Sequence, residues 1–555
     1  MGPFLSLWER KENQELSMDD AAPKRMSSSA TRQVTVREAV LHLLRGFGCT
    51  TMFGNPGSTE LPLFRDWPAD FRYVLGLQES VVVGMADGYA QASHNAAFVN
   101  LHSAAGTGHA LGNLFTAWKN NAPVVVIAGQ QARAMLPMDP FLGAKDAAEF
   151  PRPYVKYSIE PARAEDVPAA IARAYYTAMT EPMGPVFVSV PVDDWDKACD
   201  LIEPRRVISR RRPDPGALAE VAAALKAAKS PVIVVGSDID RSGAFEGVVE
   251  LAERWQAPVW TAPRVWRCAF PETHPLFAGF LPPLKAGVVD KLKGHDFVLV
   301  LGAPAFTYHN ETKGPFLPDG ARLIQIVSDP DQASYTPEGV AIIANLGAAV
   351  SDLLEAVRPD APPATAKGRG PRPVLEAKTP IPPPYLMQRL QALRPKDSII
   401  VEEAPTTRDP MNDHLPIDKA DGFLTTGSGG LGYGLPASVG VALARPDQRI
   451  VAIIGDGSAM YGVQALWTAA QSKLPMTILI VNNAGYLALK HMGTLFQMQD
   501  LVGVDLPGID FVGLARSLGC DAARVDKAEN LDSVLIQALN SKGPFLIDAI
   551  VEASF

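Results

Sequence analysis

The chain has 555 residues, too many for one hydrophobic core and enough for about three domains of ordinary size. With 47% hydrophobic and 20% charged residues it reads as a globular enzyme and not as a disordered segment, and a net charge of −9 leaves no basic footprint for nucleic acid or an anionic membrane. Its four cysteines, Cys49, Cys199, Cys268 and Cys520, are far apart and form no CxxC pair, which fits a reducing cytoplasm and argues against a disulfide framework or a zinc site.

Residues 1–33 read as a flexible extension, with Met18 and Met26 as alternative starts. Arg10, Lys11 and nearby acids interrupt any signal-peptide core, and no apolar run reaches the roughly 18 residues of a membrane span. MGPFLS matches the loose myristoylation pattern, but Pro3 beside the acceptor glycine speaks against it. Residues 34–205 then alternate strand-like and helical segments: FVNLHSAAG, NLFTAWKNN, APVVVIAGQ and, at 184–194, GPVFVSVPVDD. Residues 206–357 hold a second α/β unit marked by SPVIVVGSD, APVWTAP, HDFVLVLGAP and RLIQIVSDP. A Pro-, Gly- and Ala-rich stretch over 358–384 reads as a surface linker. Residues 385–555 repeat the first layout with RIVAIIGDG, QALWTAAQSK, LPMTILIVNN and GPFLIDAIVE. The fold class is α/β: three domains, each a parallel sheet flanked by helices.

Two short segments in the last unit carry chemistry. RIVAII is a buried parallel strand, and GDGS (Gly455, Asp456, Gly457, Ser458) follows where a helix should begin, with Gln464–Gln471 supplying that helix. MTILIV is the next strand and ends at Asn482 and Asn483. A right-handed βαβ unit puts both strand ends on one edge of the sheet, so Asp456 and Asn483 converge. A carboxylate with an amide oxygen suits Mg²⁺ or Ca²⁺, and so few protein ligands imply phosphate oxygens and water to complete the shell. GDG alone would be an ordinary acidic helix cap; the paired asparagines make the metal reading the stronger one. Upstream, Gly427, Gly429 and Gly432 have GxGxxG spacing and invite a dinucleotide reading, which GFLTT as a poor strand and Pro436 in the following helix both weaken.

GDGS followed by a βα unit and NN resembles the thiamine diphosphate signature of the pyruvate-decarboxylase-like superfamily. The resemblance implies Mg²⁺ held by Asp456, the Asn483 side chain and the Gly485 carbonyl, bridging a diphosphate, with Gly455, Gly457, Ser458 and Tyr486 around it. It implies Leu431 wedged beneath the cofactor, the Gly429 carbonyl accepting from the 4′-amine, and Glu79 against the pyrimidine N1′. Because that glutamate comes from a different subunit in such enzymes, the site requires at least a dimer, and a homotetramer is expected.

FGNPGSTELP, NLHSAAGTGHALG and GAPAFTYH narrow this further, since they resemble the corresponding segments of benzoylformate decarboxylases. That resemblance implies Ser58 on the substrate carboxylate, His102 and His309 in proton transfers, and Leu142, Pro405 and Met492 around the substrate. His94, His109 and His491 keep a structural reading. The implied reaction is decarboxylation of a 2-oxo acid, benzoylformate or a related aryl glyoxylate, to an aldehyde and CO₂ through an enamine on the cofactor. The alternative is an acetolactate-synthase-like carboligase, in which that enamine attacks a second carbonyl. A dehydrogenase built on GSGGLG and a non-catalytic homologue are the remaining rivals; the presence of Glu79, Asp456 and Asn483 together argues against the latter. Met492, Thr425 and Pro405 depart from the family pattern and suggest a less aromatic, more adaptable pocket.

Overall fold

Strands that read as unbroken apolar runs must be covered on both faces, and the intervening helical segments supply that cover. The computed structural model describes residues 32–310, 313–356, 369–370, 372–498 and 500–553. Most of the expected extension, with Met18 and Met26, and much of the expected linker lie outside the described residues.

Three six-stranded sheets result, parallel throughout. The first runs edge to edge as Arg72–Leu75, Thr51–Asn55, Ala97–Leu101, Val124–Gln130, Val186–Pro191 and Ser158–Ile159. The last runs as Phe423–Thr425, Ile399–Glu403, Ile450–Gly455, Met476–Asn482, Phe545–Ile550 and Asp521–Val525. Counted along the chain, both have the order 2-1-3-4-6-5, so the repeated sequence grammar folds to one topology twice. The middle sheet differs: Phe277–Phe280, Val259–Thr261, Pro231–Val235, Phe297–Leu301, Arg322–Val327 and Val340–Ile343 give 3-2-1-4-5-6, the order of doubly wound nucleotide-binding sheets. A small antiparallel pair, Gln33–Thr35 with Ala198–Asp200, ties the start of the first unit to its end.

The first and last units meet through helices Glu79–Ser93 and Gly434–Ala444. They approach closely because glycines face backbone at the crossing. A Cβ on Gly88 would lie 2.2 Å from the Ala437 carbonyl oxygen, and one on Gly440 would lie 1.9 Å from that of Met85. Pro436 sits in the first turn of its helix, where a missing N–H costs no intrahelical bond. Phe423–Thr425, a poor strand by sequence, forms an edge strand paired with Ile400–Glu402. The helix expected after GDGS is split into a turn, Asp456–Ala459, and a helix, Ala465–Gln471. Gly462 lies between them where a Cβ would press on Pro436 at 2.8 Å, so the chain bends around that proline.

Where the three units join, Arg267 is fully buried and pairs with Asp240 at 2.6 Å and with Asp421, while its Nη1 donates to Gln91 at 3.0 Å. Gln91 in turn donates to Asp87 and to the Tyr433 hydroxyl, and Asn120 donates to the other Asp87 oxygen. Burial pushes the Asp87 carboxyl up to about 6 against these donors. Among the described residues no helix is long and apolar enough to cross a membrane.

Two outcomes are expected. Gly440→Ala drives a methyl group into the Met85 carbonyl with backbone on both sides and should cost about 1–3 kcal/mol in denaturant unfolding; wild-type stability would show that the crossing is not rigid. Asp87 retains its proton in the folded chain above the ordinary carboxyl range near ~4. Its stabilising contribution is therefore full below that range and lost as pH rises through about 6. Thermal melts between these limits should fall less steeply for Asp87→Asn than for wild type.

Candidate active site

In the last sheet the strand order reverses between Ile399–Glu403 and Ile450–Gly455, which opens a crevice at their carboxyl ends. Asp456 stands there, 3% exposed, at the start of a helical turn capped by Gly455. Its Oδ1 accepts from the Gly457 N–H at 2.8 Å and its Oδ2 from the Gly485 N–H at 2.9 Å, which draws in the loop after Met476–Asn482. Burial pushes its carboxyl above the usual range, while those N–H donors hold it down.

The two asparagines have separate tasks. Asn482 is committed to structure: its amide donates to Asp548 at 2.8 Å and its oxygen accepts from the Ala484 N–H at 3.0 Å. Ala484 takes a left-handed turn at φ 58°. Asn483 keeps a buried Oδ1 with no hydrogen-bond partner. Such an atom costs about 1–3 kcal/mol unless something meets it. With the Asp456 carboxylate nearby on the same loop contact, that donor set suits a hard cation. Among the described residues no three His, Cys, Asp or Glu side chains cluster to hold a metal, so a cation here would depend on these oxygens and on a ligand. The Tyr486 ring covers Gly457, where a Cβ would lie 2.4 Å from it, and Ser458 is buried alongside.

Glu403, unnoticed in the sequence, governs the neighbouring glycine loop. Fully buried at a strand end, it accepts from the N–H groups of Gly432 and Tyr433, both at 2.7 Å, and of Gly434. These are the donors a dinucleotide phosphate would need, so the GxGxxG spacing does not make a phosphate loop here. Gly429, exposed at φ 74°, and half-buried Leu431 lie on the turn so held. The doubled acid in VEEAP was the available signal. Its first member, Glu402, pairs with Arg408 and accepts from the Thr425 hydroxyl at 2.9 Å.

The first sheet uses the same edge. Its order reverses between Thr51–Asn55 and Ala97–Leu101, which pair in register at Asn55 and Leu101, so FGNPGSTE and His102 leave the sheet side by side. Glu60, 1% exposed, accepts from the Gly57 N–H at 2.7 Å and lies 3.0 Å from His102 Nδ1. Gly57 and Gly129 must lack side chains, because a Cβ would lie 2.2 Å from the imidazole and 1.8 Å from the Glu60 carboxylate respectively. A carboxylate only accepts, so His102 Nδ1 carries the proton and Nε2 is left with a lone pair. Ser58 is exposed at the loop tip, and Leu142, exposed at φ 61°, accepts from the Ser103 hydroxyl at 2.7 Å through its carbonyl. Glu79 opens its helix and meets His109 Nδ1 at 3.1 Å, so His109 has a partner in the candidate site that its structural reading did not foresee.

His309, on a loop of the middle unit, is wired the opposite way. Arg264 Nη2 lies 2.8 Å from its Nδ1, and a guanidinium only donates, so Nδ1 accepts and Nε2 bears the proton. Met492 is half-buried in helix Leu487–Leu495, which packs on the turn Pro405–Thr407, where Pro405 is exposed. Among the described residues no hydrogen bond joins the Glu79, Ser58 and His102 group to the Asp456, Asn483 and His309 groups.

Comparison with known proteins follows this geometry. Residues 34–150, 218–353 and 408–549 match the N-terminal TPP binding, central and C-terminal TPP binding domains of thiamine pyrophosphate enzymes. The chain is 42% identical to a benzoylformate decarboxylase of Pseudomonas aeruginosa over 93% of its own length and 98% of the relative's. It is 28% identical to an acetolactate synthase large subunit of Parasynechococcus marenigrum, over 95% and 89%. A solved thiamine diphosphate-dependent 4-hydroxybenzoylformate decarboxylase of Rhodococcus jostii superposes with TM-score 0.91 at 40% identity, covering 94% of this chain and 100% of the other. The three domain matches, the shared fold and the extent of identity together establish that the chain belongs to the thiamine diphosphate-dependent 2-oxo acid decarboxylase family.

Proposed function

We propose that the chain converts an aryl glyoxylate, with benzoylformate as the reference substrate, to the aldehyde and CO₂, as a cytoplasmic homotetramer using thiamine diphosphate and Mg²⁺. The observation that carries this reading is the opposite wiring of His102 and His309, which turns one imidazole nitrogen outward as an acceptor and the other as an N–H donor.

Asp456, the unpartnered Asn483 oxygen and the Gly485 carbonyl would hold Mg²⁺ against the diphosphate. Bound thiamine diphosphate supplies a nucleophilic carbanion and the electron sink that lets CO₂ leave. Glu79 would offer its carboxyl group to the cofactor's pyrimidine, and Leu431 with the Gly429 carbonyl would orient its rings. Ser58 donates its hydroxyl to the substrate carboxylate. His102 accepts a proton at Nε2, since Glu60 occupies Nδ1, and His309 holds its Nε2–H toward the substrate as a hydrogen-bond donor. Leu142, Pro405 and Met492 exclude water, which favours loss of charge as CO₂ departs. Because, among the described residues, Glu79, Ser58 and His102 make no hydrogen bond to the Asp456 cradle, a second copy is the natural source of the missing half.

Purified protein with thiamine diphosphate and Mg²⁺ should release CO₂ from benzoylformate and its ring-substituted forms faster than from pyruvate, with aldehyde as the main product. A 2-hydroxyketone as the main product would instead support carboligation. Replacing Asn483 by leucine should abolish Mg²⁺-dependent binding of thiamine diphosphate in calorimetry while leaving the fold intact by circular dichroism. Unchanged cofactor affinity would remove Asn483 from the cradle.

A further inference from the structure

Arg264, exposed beside His309, is the one cation among the described residues of the candidate site that forms no ion pair. Arg408 is neutralised by Glu402, and Arg267 by Asp240 and Asp421. Among the described residues Arg264 has no carboxylate within ion-pair distance, and the acid that acts on it, Asp409, does so without an ion pair. Its contact with His309 uses one of five N–H donors, and the rest are free for a ligand.

Its placement is enforced. The residues from Ala262 to Arg267 are pinned by the Ala262 N–H on the Val235 carbonyl at 2.8 Å, the Trp266 N–H on the Ser237 hydroxyl at 2.9 Å, and the Thr425 N–H on the Trp266 carbonyl at 3.0 Å. Buried Arg267 locks the far end. Within this frame Arg264 adopts φ 61°, a left-handed conformation that is unfavourable for a non-glycine residue. The backbone is held against its preference with the guanidinium beside His309 and near Arg408.

Three anions could meet that charge. The cofactor's diphosphate belongs with Asp456 and Asn483, which are a separate group. The departing carboxylate is a poor partner, because a cation paired with it stabilises the ground state and loses its partner as CO₂ forms. The remaining acceptor is a group on the part of the substrate that stays behind. Resting on the decarboxylase reading above, we propose that Arg264 is a specificity determinant and that the preferred substrate is a 2-oxo acid bearing a second carboxylate on its ring or chain. With an uncharged acyl side the guanidinium keeps only water as its partner; with a carboxylate there, the planar fork is matched by two charge-assisted hydrogen bonds.

The test uses cofactor-loaded enzyme and matched pairs: benzoylformate with para-carboxybenzoylformate, and 2-oxopentanoate with 2-oxoglutarate. In each pair the dicarboxylate should have the higher kcat/KM, by about tenfold in the better pair, with the difference mainly in KM. Arg264→Gln should lower that ratio by about tenfold, and Arg264→Lys should retain part of it. A wild-type preference for the monocarboxylates, or a parallel fall of both members in the variant, would overturn the proposal and leave Arg264 as a positioning residue for His309. No CO₂ from any of the four would sink the decarboxylase reading itself. Calorimetry with unreactive benzoate and terephthalate then decides separately: about tenfold tighter terephthalate binding, lost in Arg264→Gln, supports the second anion site, and equal binding refutes it.

Discussion

The guanidinium of Arg267 is the constraint on which the rest of the structure turns. It is a cation with no access to water, and such a group persists only where its charge and donors are met in full. Asp240 comes from its own unit, Asp421 from the last and Gln91 from the first, so one side chain commits three separately folding sheets to a single arrangement. Gln91 lies on the helix that Glu79 begins, and Asp421 lies two residues before the edge strand Phe423–Thr425. Removing the arginine would leave buried Asp240 without its cation; removing Asp240 would leave the cation partly unpaired. Either change propagates to loops that carry candidate site residues.

Duplication of one sheet topology gives this arrangement its economy. Both terminal units present the crevice at the same switch point, so each offers side chains from the ends of its first and third strands. They have diverged in what they offer. The first places a histidine, a buried glutamate and a serine there, groups suited to proton handling and to a substrate carboxylate. The last places oxygens suited to a cation and, through Glu403, a turn whose own donors are already spent. The middle unit has a nucleotide-type strand order, yet what it brings to the site is His309 and Arg264. Strand order alone therefore does not assign a ligand.

Residues whose meaning depends on near neighbours were legible in the sequence. The apolar runs became strands, and Asp456 met the loop of Asn483 because a βα unit of ordinary length leaves little choice of where its ends meet. Residues whose meaning depends on distant partners were not. Glu403 acts on N–H groups 29 to 31 positions away, and Arg264 reaches His309 across 45. Nothing local distinguishes either from an ordinary surface charge. The GxGxxG spacing shows the complementary failure: glycines report that the backbone turns, but not which group has already taken its donors. His109 read as structural because its partner, Glu79, lies on another helix.

Opposite wiring of the two histidines accounts for features that packing alone does not require. A site that presents both an acceptor and a donor from imidazole rings needs two different tautomers, and a ring nitrogen left without a partner holds neither. The chain separates them by partner instead of by burial. A carboxylate behind His102 fixes one tautomer, a guanidinium behind His309 fixes the other, and each partner is itself held. Glu60 is seated on two glycines that cannot carry side chains, and Arg264 stands on a turn pinned to two strand ends and the Ser237 hydroxyl. Those backbone constraints are spent on orienting the groups behind the two imidazoles, which is where a rotatable ring most needs support.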